Sequence, residues 1–280
     1  MKDKIHYHRV ADTSDLILSD GVFSEFEFKP HYHLDYHIGL VIEGVQKQRF
    51  QGKNVLLGPG RISIMPPGEI HDGSGYDDKE YTMCTFRISP ALLHEYLSDI
   101  ADHNGSDVSQ INDHDLSPFF AGAMIEDSAL AKRLVQLYQG IQNPQGLASL
   151  PVEEAWLKLF DPLFNRLKVV TPKSVEGGLS LRQIMQVRDY ADAHLADKIS
   201  LQQLAGLCDL SRYQFLRRFE QSMGLTPHNW LIQLRLERAC LLLRLPKQSL
   251  TQVAASVGFY DQSHFIRAFR KWYGITPSQY

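Results

Sequence analysis

Cysteine is scarce. The three in 280 residues, Cys84, Cys208 and Cys240, are far apart, odd in number and set among apolar neighbours. That pattern excludes a disulfide framework or a cysteine-built zinc module and reads as buried free thiols of a cytoplasmic protein. Long apolar runs are missing as well: no stretch approaches the ~20 residues of a membrane span. The first ten residues, MKDKIHYHRV, are charged and lack the apolar core of a secretory signal. A large net charge is also lacking, at −3, which taken whole argues against a nucleic-acid binder. What is present is ordinary for a soluble globular protein, with 44% hydrophobic and 22% charged residues. A chain of 280 residues has room for two domains with their own cores.

The small net charge hides an asymmetry. Residues 176–280 hold 13 Lys+Arg against 8 Asp+Glu, a net +5, while residues 1–175 hold 16 against 24, a net −8. A basic half joined to an acidic half is the pattern of a nucleic-acid reader attached to something else.

The basic half repeats itself. Ser211–Gly224, SRYQFLRRFEQSMG, is answered fifty residues later by Asp261–Gly274, DQSHFIRAFRKWYG. Phe215, Arg217, Phe219 and Gly224 align with Phe265, Arg267, Phe269 and Gly274, and Leu225-Thr226-Pro227 with Ile275-Thr276-Pro277. Upstream, Ser200–Ala205 answers Ser249–Ala254 with a one-residue slip at the turn. Each copy reads as helix, tight turn, helix. Ser200 with Gln203, and Ser249 with Gln252, fit the capping box that satisfies free amides at a helix start. Asp209 and Gly258 tolerate the left-handed conformation of a turn, and Ser211 and Asp261 can cap the second helix. On that helix the phenylalanines, four apart, face inward. The outer face carries Arg212, Tyr213, Leu216 and Arg217 in one copy and Gln262, Ser263, Ile266 and Arg267 in the other. A helix-turn-helix lays this face in the DNA major groove, where Arg reads guanine and Gln reads adenine. A single F-x-R-x-F helix is more often plain amphipathic packing; two capped copies in tandem favour the reader.

These residues resemble the AraC/XylS transcription regulators over roughly Leu179–Tyr280. The joining helix matches LRLERACLLL, Leu234–Leu243, opened by Thr226-Pro227, and the second unit matches VGFYDQSHFIRAFRKWYGITPSQY, Val257–Tyr280. The resemblance implies two helix-turn-helix units, at about 200–220 and 249–270, set on double-stranded DNA in successive major grooves. Carried over by position, the base-facing set is Arg212, Tyr213, Leu216, Arg217, Gln262, Ser263, His264 and Arg267. Leu216 and Ile266 are apolar there and suit a thymine methyl.

The acidic half begins as short strands divided by turns. His37–Ile42, Gln46–Phe50, Arg61–Met65 and Tyr81–Ile88 have strand character, and alternation runs through Phe23–Phe28. Glu43-Gly44, Gln51-Gly52, Gly58-Pro59-Gly60 and Pro66-Pro67-Gly68 supply turns. Many short strands predict a small barrel or sandwich. Two pieces resemble cupin motifs: His31-Tyr32-His33-x3-His37, and Gly60-x5-Pro66-x-Gly68-x2-His71 with His37 where a carboxylate would stand. The expected use is a pocket for one small effector, lined by His31, His33, Tyr36, His37, Glu69, His71 and Tyr81. Several imidazoles that gain a proton near neutral pH favour a polar, anionic or chelating molecule. No cofactor is expected; a divalent transition metal on His31, His33, His37 and His71 is the alternative.

Helices follow. Ala91–Leu97 reads as a short helix and His103–Asp115 as a loop. Leu130, Leu134, Leu137 and Ile141 recur at helical spacing, as do Trp156, Leu159, Phe160, Leu163 and Leu167, with Asn143–Gly146 between the two runs. Val169–Gly178 reads as a linker, and Ser180 with Gln183 opens another capped helix.

The fold class read from the chain is α+β and multidomain: a cupin-like β-barrel over 1–98, a helical linker and dimerisation segment over 99–172, and an all-α DNA-binding domain over 173–280. The family resemblance implies a cytoplasmic, effector-controlled, homodimeric transcription regulator that touches RNA polymerase, with no membrane and no catalysis. The rival from another class is a metal-dependent cupin enzyme fused to a reader domain.

Overall fold

The computed structural model describes residues 3–9, 15–93, 121–142, 163, 175–245 and 248–280. The chain divides into two compact units, Met1–Val170 and Thr171–Tyr280.

The first unit is built from antiparallel strands: β1 (Lys4–Arg9), β2 (Leu16–Phe23), β3 (Phe28–His31), β4 (Tyr36–Glu43), β5 (Gln46–Phe50), β6 (Lys53–Leu57), β7 (Arg61–Met65), β8 (His71–Gly75), β9 (Tyr81–Ile88) and β10 (Ala123–Glu126). They form a six-stranded sheet ordered β1-β2-β9-β4-β7-β10 and a four-stranded sheet ordered β3-β8-β5-β6. Glycines turn the chain between strands: Gly44, Gly52, Gly60 and Gly68 all adopt positive φ, a region open to Gly at little cost. Gly44 also admits no side chain, since a Cβ would lie 2.5 Å from the Glu80 carbonyl oxygen.

The alternation through Phe23–Phe28 does not make one strand. β2 ends at Phe23 and β3 begins at Phe28. The Asp3 carboxylate accepts from the backbone N–H of Ser24 and, at 3.1 Å, from that of Glu25. Those amides are withdrawn from any ladder, so the chain bends there.

Because successive strand residues face opposite ways, the six-stranded sheet has two different faces. Leu16, Leu18, Tyr36, Ile38, Leu40, Ile62, Ile64, Cys84, Phe86 and Ile88 form the outer face. Helix α1 (Ser128–Gln142) covers it with Leu130, Leu134, Leu137 and Ile141, the residues that the spacing predicts. The odd-numbered residues of β4 and β9 face the four-stranded sheet instead. At one end of that interior Phe23, Val41, Leu57, Tyr81 and Met83 make a smaller apolar cluster.

The second unit is helical: α2 (Leu181–Ala193), α3 (Leu201–Leu207), α4 (Arg212–Met223), α5 (Pro227–Leu243), α6 (Leu250–Ser256) and α7 (Gln262–Tyr273). Capping boxes at Ser180, Ser200, Ser211 and Ser249 open α2, α3, α4 and α6. Thr226 caps α5 with Pro227 in its first turn, and Asp261 caps α7. Joining helix α5 is buried along much of its length and ties the halves together. Arg238 holds Asp192 through two hydrogen bonds of 2.9 Å, Arg235 donates to the Leu195 and Asp197 carbonyls, and Glu237 accepts from Tyr273 at 2.6 Å.

The helix expected over Ala91–Leu97 is described only as far as residue 93. The His103–Asp115 loop, the Asn143–Gly146 turn and most of the Trp156–Leu167 stripe lie outside the described residues. So does the linker up to residue 174. Leu163 alone of that stripe is described, and it is buried in the outer core.

Candidate functional site

Two constellations stand out, one in each unit. In the helical unit the repeat becomes two helix-turn-helix motifs, α3–α4 and α6–α7. Asp209 (φ +54°) and Gly258 (φ +78°) turn the chain in left-handed conformation between α3 and α4 and between α6 and α7. Phe215, Phe219, Phe265 and Phe269 are fully buried. That fixes the opposite faces of α4 and α7 outward. Arg212, Tyr213, Arg217, Ser263, His264 and Arg267 are exposed; Leu216, Gln262 and Ile266 are half-buried. Gln262 is partly committed, since its Oε1 accepts from Thr251 Oγ1 at 2.8 Å. Tyr213, Arg217 and Arg218 line a cleft with Glu176 and Gly177, held by a hydrogen bond from Gln221 Nε2 to the Glu176 carbonyl at 2.7 Å. Tyr260, in the turn just before α7, is 93% exposed. Its place in the turn gave no signal in the repeat, because the first copy has Leu210 in the corresponding stretch.

In the strand unit the histidines do converge. His31 ends β3, His71 begins β8, and the two are register partners across the four-stranded sheet. His33 follows in the β3–β4 turn, and His37 sits on the inner face of β4. Ring centroids lie 4.3 Å apart for His31–His71, 4.9 Å for His31–His33, 5.2 Å for His33–His71, 5.0 Å for His33–His37 and 5.5 Å for His37–His71. His31 Nδ1 lies 2.7 Å from the Lys29 carbonyl oxygen and His71 Nδ1 lies 2.9 Å from that of Glu69. A carbonyl only accepts, so both Nδ1 atoms carry a proton, and in the neutral ring Nε2 then presents a lone pair.

Three of the expected lining residues need comment. Tyr36 is on the other face of β4 from His37 and packs in the outer core beneath α1; the pleat, with its period of two, separates neighbours in sequence. Tyr81 faces inward but in the apolar cluster, where its hydroxyl accepts from Gln46 Nε2 at 3.1 Å. Glu69 offers its backbone carbonyl to His71, and partial burial holds its carboxyl above the ordinary range.

The protonation expected of the imidazoles also differs. Burial, then the Arg87 guanidinium, hold His33 well below the usual imidazole range. Burial and the neighbouring His33 do the same for His37. Near neutral pH both are uncharged. Arg87, itself buried and paired with Asp35 at 2.9 Å, brings a positive charge to this wall.

Sequence reasoning missed a set of polar residues on the same interior. Gln46 and Gln48 of β5, Ser63 of β7, and Thr85 and Arg87 of β9 are all buried. Gln46 Oε1, Gln48 Oε1, Ser63 Oγ and His37 Nδ1 are buried with no hydrogen-bond partner. Each such atom costs roughly 1–3 kcal/mol in a dry core, so a wall of them is the chemistry of a site that holds a ligand or water. The signal was present: Gln46-x-Gln48-x-Phe50 alternates as an inward face does.

Comparison with known proteins bears on both constellations. Residues 15–160 match the family described as the AraC-like ligand binding domain, and residues 204–280 match a helix-turn-helix domain. The chain belongs to the AraC family of transcription regulators. An AraC-family relative, the arabinose operon regulatory protein of Escherichia coli K12, is 26% identical over 98% of this chain and 89% of its own length. The probable transcriptional regulator LumQ of Photobacterium leiognathi is 38% identical over 94 residues. That alignment spans 34% of this chain and 38% of LumQ. Among solved structures, ToxT of Vibrio cholerae superposes with a TM-score of 0.60 at 12% identity, over 95% of this chain and 96% of ToxT. At that identity the likeness is one of fold.

Proposed function

We propose that this AraC-family chain is an effector-controlled regulator, reading DNA with α4 and α7 and binding a polar small molecule between its two sheets. The observation that carries the effector half is the buried polar wall: His33, His37, Gln46, Gln48, Ser63 and His71 face one interior, and four of their polar atoms lack partners. One ToxT structure is described as bound to an unsaturated fatty acid. A long apolar chain would leave this wall's donors and acceptors unsatisfied, and the Gln46 and Gln48 amide oxygens only accept, so the effector here carries hydroxyl or other hydrogen-bond-donating groups.

On the DNA side the outward set is Arg212, Tyr213, Leu216, Arg217, Gln262, Ser263, His264 and Arg267, with Arg217 and Arg267 as the base readers. The effector set is His31, His33, His37, Gln46, Gln48, Ser63 and His71, with Glu69 at the rim. The break between units at 170/171 supports a reader domain beginning near 173. We place the regulator in the cytoplasm, where its DNA is, acting as a homodimer in contact with RNA polymerase. Among the described residues no helix is long and apolar enough to cross a membrane. The relatives named above are regulators, and the reading gives the chain no catalytic step.

The test is binding of the full chain to its own upstream DNA, with transcription from that promoter followed as small polar metabolites are added. Arg217→Ala and Arg267→Ala should each weaken specific binding by about 1–3 kcal/mol. Gln48→Leu combined with Ser63→Ala should keep the DNA affinity and lose the response. A double variant that responds like wild type would place the effector elsewhere.

A further inference from the structure

The three imidazoles that meet at the edge of this interior point to a ligand the family relationship does not supply. We propose that His31, His33 and His71 bind one divalent transition-metal ion of the zinc, cobalt or nickel class. The inference goes beyond the effector reading and does not depend on it.

Donor geometry comes first. One ring nitrogen from each of the three residues lies within 4.8 Å of the other two. Around a tetrahedral ion with bonds of about 2.0–2.1 Å, ligand nitrogens stand about 3.4 Å apart. Rotation of the rings about χ1 and χ2 by an ångström or so at each nitrogen closes the difference. The residues come from β3, the β3–β4 turn and β8, so the ladder pairing of His31 with His71 sets the separation before any ion arrives.

Orientation is the second, independent observation. His31 and His71 each donate Nδ1–H to a backbone carbonyl two residues upstream, Lys29 and Glu69. A hydrogen bond of this kind fixes the tautomer and raises the basicity of the other nitrogen, and metal-ligating histidines nearly always have one.

The donor set also selects the ion. Three neutral nitrogens without a carboxylate or thiolate suit zinc, cobalt, nickel or copper and disfavour magnesium and calcium. The nearby Arg87 charge is offset by Asp35. Three protein ligands leave a coordination position open, and that position is where an oxygen donor of a small molecule would attach.

The experiment uses untagged full-length protein, dialysed against a chelator and titrated with Co(II) alone. Expected are one equivalent bound per chain, ligand-field absorption in the visible, and displacement by one equivalent of Zn(II). His31→Ala and His71→Ala should each weaken binding more than tenfold. A second histidine cluster, His6 and His8 on Asp20, serves as control: His6→Ala with His8→Ala should bind Co(II) as wild type does. If His71→Ala fails to fold, the half-buried His31 carries the test, and X-ray absorption of the wild-type Zn(II) protein should show three imidazole nitrogens. No saturable Co(II) or Zn(II) binding by the folded wild type overturns the proposal. So does binding that survives in His31→Ala, that is lost in the His6/His8 control, or that shows other than imidazole ligation.

Discussion

Replacing Phe269 by Ala should cost about 3–5 kcal/mol and disable the second reader motif. Phe269 is fully buried, and its ring centroid lies 5.7 Å from Phe265, 4.5 Å from Tyr273 and 5.5 Å from Tyr280. Each aromatic pair is worth roughly 0.5–1.5 kcal/mol beyond area burial, so three such pairs place the cost in the upper part of the range. The loss spreads, because Tyr273 donates to the buried Glu237 at 2.6 Å and that bond loses a wall. For a unit of this size about 1 kcal/mol moves the melting temperature by at least ~4 °C. The fall should therefore exceed ~12 °C, against a total stability of about 5–15 kcal/mol. Calorimetry of the full chain, with wild type and Phe219→Ala beside it, is the assay. Phe219 packs on Phe215 and Trp230 at 5.4 and 5.5 Å and should report a similar loss from the first motif. Ile266→Ala, half-buried on the outer face, should cost under about 1.5 kcal/mol. A Phe269→Ala transition within ~4 °C of wild type would show that the ring is not part of the core and that the outward face of α7 is misassigned.

Two other outcomes follow from the same geometry. Gly258→Ala should destabilise the helical unit by more than about 2 kcal/mol, since a Cβ would lie 2.4 Å from the Leu195 carbonyl oxygen at φ +78°. Asp209→Gly, in the first motif's turn, should shift the melting temperature little; equal losses would show that the close approach is not what Gly258 serves. Asp20 is the hub of the outer wall, accepting from Tyr138 at 2.7 Å and Gln142 at 2.9 Å, with His8 at 2.7 Å and His6 at 3.2 Å. Burial raises its pKa, but these hydrogen bonds outweigh burial and leave it below the ordinary carboxylate value. The unfolded chain takes up that proton first on acidification, so the stabilisation is full above about pH 4 and fades as pH falls through the folded value. Asp20→Asn should lower the melting temperature at pH 7, with the gap to wild type closing toward pH 3; a gap independent of pH would refute the charge's role.

The helical unit was legible because its information is local and written twice. Caps at Ser200, Ser211, Ser249 and Asp261, the left-handed turns and the paired phenylalanines each follow from spacing within about four residues. The strands β5, β7 and β9 were legible to the residue, the first two between turns whose glycines adopt positive φ. β1, β3, β6, β8 and β10 were not, since HDGSG and FKPH carry little strand propensity and are held by their partners. Within the site, the histidines were found by their spacing. Gln46, Gln48, Ser63 and Arg87 were not, because burial of a polar strand face is a tertiary fact. Tyr36 was misplaced for the opposite reason: in a run such as His33–His37 neighbours read as a group, and only the pleat divides them.

That division explains how the first unit can bear an interior that is polar over one end. Across β2, β4, β7 and β9 one parity of residue builds the outer core with α1, and the other parity faces the polar interior. The even residues of β4 and β9, such as Ile38, Leu40, Phe86 and Ile88, are fully buried against Leu130, Leu134 and Leu137. At roughly 1.5–3 kcal/mol for each fully buried large side chain, this face alone outweighs several unsatisfied polar atoms at ~1–3 kcal/mol each. The polar end of the inner face, away from the Phe23–Tyr81 cluster, is thereby released from holding the fold together. A ligand that satisfies Gln46, Gln48, Ser63 and His37 removes an existing penalty, so its binding free energy includes that relief as well as its own contacts. The even parity carries the larger core, while the odd parity divides between the smaller apolar cluster and the recognition wall. A one-residue slip of β4 would exchange them, setting Tyr36 and Ile38 in the site and His37 under the helix; register in this sheet therefore specifies the site as well as the fold.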